Sequence, residues 1–169
     1  QYSLLDTLSS VFALIFLAMP EFWFALMLII KFSLELRWFP ASGWYGVEYM
    51  VLPIVATGIG CVAGIMRTTR SNMLEVIRQD YIRTARAKGL IEHGVIWRHA
   101  LKNALMPIIT VIGSNFGSLL GGSVVVETVF GLPGLGSMVV TSIRSQDVPQ
   151  VMAGTLLIAL MFCVVLLVV

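Results

Sequence analysis

The 169-residue chain is 58% hydrophobic and 12% charged, with a formal net charge of +2. Ordinary soluble domains carry roughly 25% charged residues, so this chain has too few to cover a water-soluble core, and no nucleic-acid partner is expected. Its apolar residues come in long runs, which selects a membrane protein, to be read as spans first and orientation second.

The chain opens at Gln1 without an initiator Met and stops at Val169 inside the run LLIALMFCVVLLVV. A fragment lacking sequence at both ends is therefore expected. The first apolar run covers about residues 8–30 and is broken by Pro20 and Glu21; the second covers about 50–66. The third covers about 104–126 and the fourth 151–169. About 20 residues are needed to cross the hydrocarbon core as a helix, so all four are candidate spans. Helix is the required form, because an unpaired backbone amide in lipid costs several kcal/mol. The runs also lack the polar–apolar alternation of a membrane β-barrel.

The connections differ in charge. Residues 31–49 hold only Lys31 and Arg37 as basic groups, and residues 127–150 hold only Arg144. The loop 67–102 holds Arg67, Arg70, Arg78, Arg83, Arg86, Lys88, Arg98 and Lys102. Basic residues stay on the cytoplasmic side, so 67–102 is expected inside and the two flanking connections outside. By alternation, residues 1–7 start in the cytoplasm and the fourth span returns there.

Within the basic loop, SNMLEVIRQDYIRTARAKG reads as one helix. Asn72 and Glu75 have capping-box-like spacing, and Met73, Ile77, Tyr81 and Ala85 form an apolar stripe. Gly89 follows Lys88 where a helix C-terminus favours glycine. The small residues Thr84, Ala85 and Ala87 would let another surface approach closely. VIWRHALKNAL is a second helical piece leading into the third span. A solvated positive-inside loop, or one lying on anionic lipid, would use the same charges.

In the third span Gly113, Gly117 and Gly121 lie four apart, as do Gly60 and Gly64 in the second. Such faces allow close helix packing, within one subunit or against a second one. Ser114, Asn115 and Ser118 are polar at span depth, and Asn115 either faces a transport pathway or bonds between helices. Outside, FGLPGLGSM (Phe130, Gly131, Pro133, Gly134, Gly136) reads as a turn rather than a phosphate cradle. Cys61 and Cys163 read as packing residues, while His93 and His99 lack the partners of a metal site. Glu127 and Asp147, near span ends, are expected to face water. No cofactor and no metal site is expected.

The stretches DYIRTARAKGL and VIWRHALKNALMP resemble the cytoplasmic loop of binding-protein-dependent ABC importer permeases, in the dipeptide/oligopeptide/nickel group with its DppB/OppB-like subunits. MPEFWFALMLIIKFSLELRWFPASG and VVVETVFGLPGLGSMVVTSIRSQDVP resemble that group's third span and its last external loop. In the wider family's loop signature, Ala85, Gly89 and Leu101 match, whereas Arg83, Thr84, His99 and Lys102 depart, and the nearest proline is Pro107. The departures disfavour sugar and amino-acid importers.

The resemblance implies an all-α, polytopic transmembrane helical bundle of the MetI-like, type I kind, forming a translocation path for peptides. It implies a coupling helix, Tyr81, Arg83, Thr84, Ala85, Arg86, Ala87, Lys88 and Gly89, seated in a cytoplasmic ATPase. The expected partners are two such ATPase subunits, a second permease subunit forming a heterodimer, an extracytoplasmic substrate-binding protein docking at the external loop, and membrane lipid. The chain has no G-x-x-x-x-G-K-[ST] phosphate loop, so nucleotide would bind another subunit and the chain itself is not expected to be an enzyme. An ion-coupled carrier or channel is the alternative. Such a carrier usually holds an ionisable residue at span depth, and Glu21 beside Pro20 is the exception in spans otherwise nearly free of charge.

Overall fold

The computed structural model describes residues 4–120 and 123–168, all helix, turn or loop with no strand among them. Helix α1 (Leu4–Ala18) stops short of Pro20, whose extended backbone (φ −62°, ψ 133°) starts α2 (Glu21–Leu28). A prolyl ring lacks an N–H and pushes its predecessor away from helical geometry. α2 continues as a π-helical segment, Ile29–Glu35, and this arm bends 99° from α1. The apolar run expected as one span at 8–30 is therefore two helices meeting at a corner.

Helix α3 (Glu48–Ile77) is 30 residues long, about 45 Å at 1.5 Å per residue. That exceeds the ~30 Å hydrocarbon core, so the helix is longer than one upright crossing needs. The helix predicted to begin near Asn72 is here the tail of α3. Asn72 is not a cap; its Nδ2 is buried and makes no hydrogen bond among the described residues. Packing overrides the capping signal: Met73, Val76 and Ile77 lie against a buried cluster of Ile82, Ala85, Val95 and Ala100, which keeps α3 helical through Ile77. The chain then breaks at Arg78–Gln79, and Gln79 (ψ 150°) opens α4 (Asp80–Ala87).

Helix α5 (Glu92–Gly94) runs through a π-helical segment (Val95–Ala100) into α6 (Leu101–Leu120). Together Glu92–Leu120 make a continuous 29-residue helix whose most apolar 18-residue window has mean hydropathy 1.3. The third apolar run does not end as expected: Val124, Val125 and Val126 belong to a separate helix, α7 (Val124–Phe130). α7 turns through 83° into α8 (Leu135–Arg144), so helix occupies much of the stretch expected as an external loop. α9 (Val148–Val168) closes the described chain, and its most apolar 18-residue window has mean hydropathy 2.9.

Among the described residues three helices, α3, α5–α6 and α9, are long and apolar enough to cross a membrane, and the bent pairs α1–α2 and α7–α8 each pass the same test when taken together. The main core joins Ala25 and Leu28 of α2, Leu52 and Ala56 of α3, and Val126 and Phe130 of α7. α6 packs between α3 and α9. At the basic end, Arg70 of α3 grips Asp6 of α1 through Nε (2.6 Å) and Nη2 (3.0 Å).

Candidate functional site

Where α1 and α2 corner, they leave a cleft of about 550 Å³ against α3 and α6. Its α3 wall is Thr57, Gly60, Cys61, Gly64 and Thr68; its α6 wall includes Asn115 and Ser118; Glu21 and Ser123 stand at the corner. A Cβ built on Gly60 or Gly64 would meet nothing within 4 Å. Among the described residues these glycines face the cleft and not another helix of the chain.

The polar positions of α6 separate by face. Gly113 and Gly117 are buried, and a Cβ on Gly117 would come within 2.9 Å of the Phe162 ring of α9. Asn115 and Ser118 line the cleft. Ser118 Oγ donates to the Ser114 carbonyl oxygen at 3.0 Å, which satisfies the hydroxyl within its own helix. Gly121 lies outside the described residues. Glu21 was legible as the one acid at span depth, but its neighbours Thr57, Gly60 and Ser123 were not, since only the corner at Pro20 brings them together. Ser123 Oγ donates to Glu21 Oε2 at 3.2 Å and accepts from Val126 N, so one hydroxyl caps α7 and touches the carboxylate.

The second feature is α4. Ile82 and Ala85 are buried against Val95 and Ala100. Tyr81, Arg83, Thr84, Arg86, Ala87, Lys88 and Gly89 are exposed. The predicted stripe is thus shifted at one place: Ile82, not Tyr81, enters the apolar seam. The helix ends as predicted at Gly89, whose φ of +76° is a left-handed cap. Gly89 N–H donates to Arg86 O (2.9 Å) and Leu90 N–H to Ala85 O (3.4 Å), the paired bonds of a Schellman end. Arg86 holds Glu92 in a two-pronged pair, Nη2–Oε1 2.7 Å and Nε–Oε2 3.0 Å, tying α4 to the start of α5. The Arg86 hydrogen bond, reinforced by its charge, holds the Glu92 carboxyl below the usual carboxylate range.

At the other end, the turn FGLPGLGSM is built around Glu127. Its Oε2 accepts from the Ser137 backbone N–H at 2.6 Å, near the α8 N-terminus where negative charge is favoured. Glu127 is half-buried and bonded rather than water-facing as expected. Gly131 (φ +63°) ends α7, and a Cβ on Gly134 would overlap the Glu127 carboxylate. Phe130, expected in an exposed docking loop, is 1% exposed and belongs to the core. Gly131 and Pro133 are exposed, whereas Gly136 is buried.

The sequence matches, over residues 1–169, the family described as binding-protein-dependent transport system inner membrane component. The chain belongs to this family. The chain is 43% identical over 173 residues to the oligopeptide transport system permease protein AppB of Bacillus subtilis (strain 168), covering 96% of the chain and 55% of that relative. It is 44% identical over 162 residues to the dipeptide transport system permease protein DppB of the same organism, covering 96% and 53%. It is 42% identical over 164 residues to the glutathione transport system permease protein GsiC of Escherichia coli (strain K12), covering 97% and 54%. The chain thus spans about half the length of the curated relatives it matches.

Proposed function

We propose that this chain is part of the membrane-spanning permease subunit of an ATP-driven importer of short peptides, with the cleft between α1–α2, α3 and α6 as part of the path. The relatives named above transport oligopeptides, dipeptides and glutathione, which supports a peptide cargo. The observation that carries the coupling role is the form of α4. Two apolar residues fasten it to the bundle, and every other residue from Asp80 to Gly89 faces outward. The positive-inside bias puts this end in the cytoplasm, where a P-loop ATPase would receive the exposed face. A second permease subunit would complete the path, and a binding protein would deliver cargo at the opposite face, where Gly131 and Pro133 are exposed.

The test is a cysteine at Ala87 in the full-length protein, assembled with its second permease, ATPases and binding protein. A thiol cross-linker is expected to join it to an ATPase subunit. Absence of that product in an assembled, transporting complex overturns the coupling role. Glu21 in the cleft favours one second reading, an ion-coupled carrier, because such carriers bind the driving ion on an acid at span depth. Nucleotide-free uptake driven by an imposed proton or sodium gradient would select that reading.

A further inference from the structure

The cleft has one charged residue. Among the residues that line it, Glu21 is the only Asp, Glu, Lys or Arg, and the described wall offers no cation to pair with it. Its one hydrogen bond among the described residues comes from a neutral hydroxyl, Ser123 Oγ. An ionised carboxylate within an apolar layer is unfavourable unless it meets a counter-charge or water. Glu21 stands in the first turn of α2, exposed at the corner of the cleft. The surrounding wall is wide at Gly60 and Gly64 and presents further hydrogen-bonding groups from Thr57 and Asn115.

Resting on the peptide-permease reading, we infer that Glu21 is a specificity-determining residue of the path: its carboxylate receives a protonated amine of the passing peptide, an α-ammonium or a basic side chain. A positively charged cargo then crosses the cleft with its charge compensated, whereas a peptide of net negative charge meets like charge at the corner. Ser123 orients the carboxylate, and the α6 amide of Asn115 offers a neutral contact on another wall. The geometry makes this a charge filter within the spans, separate from the choice of cargo by a delivering protein.

The experiment measures uptake into proteoliposomes by the full-length transporter assembled with its partners, with binding protein saturated by each probe. The probes are lysyl-alanine and aspartyl-alanine. Glu21→Gln is expected to lower the ratio of lysyl-alanine to aspartyl-alanine rates about tenfold. Glu21→Asp, which keeps the charge, is expected to keep the ratio near wild type, and Ser123→Ala, which frees the carboxylate without removing it, is expected to lower the ratio less than Glu21→Gln does. Asn115→Asp, which adds a carboxylate to the same cleft without altering the corner, is expected to raise it. An unchanged ratio in Glu21→Gln, or no rise in Asn115→Asp, overturns the inference while leaving the permease reading intact. A wild-type complex that hydrolyses ATP but accumulates neither peptide overturns both.

Discussion

Three glycines on helices show how one residue type serves opposite ends. Gly60 faces open space, Gly117 lies against the Phe162 ring, and Gly136 sits with its would-be Cβ 2.7 Å from Val124 Cγ2 and 3.0 Å from Val124 Cα. The Phe162 ring can rotate, but the Val124 backbone cannot move without shifting α7. Gly136→Ala is therefore expected to destabilise the protein by about 1–3 kcal/mol through overpacking. Gly60→Ala has room and removes a helix-interior glycine, a change expected to stabilise by roughly 0.5–1 kcal/mol. Thermal unfolding of the two full-length variants in detergent checks this; equal losses would mean that Gly60 is packed by a surface outside the described residues. The same contrast explains the acid at Glu127. Its carboxylate fills the space that side chains at 134 and 136 would need, so those glycines and Glu127 are one structural unit.

At the scale of elements, α4 is held by two different forces. The Ile82–Ala85 seam is apolar and insensitive to pH, whereas the Arg86–Glu92 pair titrates. Because the folded Glu92 pKa is lowered, its contribution is fully present above the ordinary glutamate value of about 4.3 and fades as pH falls through the lower folded value. Hydrogen-exchange protection of the α4 amides is expected to drop in that acidic window in the wild type. Glu92→Gln is expected to show the reduced protection already at neutral pH and little further change on acidification. A wild type whose α4 protection is flat across the window would show that the seam alone docks the helix. The pair is solvent-exposed, so salt should weaken it in the same direction.

For the whole molecule, the notable property is how little of the apolar surface the chain covers by itself. In the most apolar window of α9 only 6% is buried, which leaves the rest for lipid or a second subunit. The long elements are held mostly by side-to-side packing, with the Asp6–Arg70 pair clamping α1 to α3 at the basic end. That pair is part-exposed, so its net worth is on the order of 0.2–1 kcal/mol. Asp6→Arg and Arg70→Asp alone are each expected to lower thermal stability, and the double swap to recover most of the loss. A double swap no better than the sum of the two would show that the pair is incidental to the α1–α3 contact.

The apolar runs, the basic loop and the glycine after Lys88 were legible because each is a local property: hydrophobic length, charge count and a backbone conformation that glycine adopts easily. From these alone follow the all-α membrane class and the end of α4; of the four runs read as spans, the one at 8–30 is a bent pair and the other three fall largely on α3, α5–α6 and α9. The corner at Pro20 was visible as a break, but its 99° angle was not. That angle is decided by how Ala25 and Leu28 find Leu52, Ala56 and Phe130. Likewise Asn72 had the spacing of a cap, and only the packing of Val76 and Ile77 on Ile82 carried α3 past it. The cleft required both, since Glu21, Gly60, Asn115 and Ser123 are distant in the chain. Periodicity identifies a helix's faces, but which face meets a neighbour and which meets empty space depends on contacts between elements far apart in sequence.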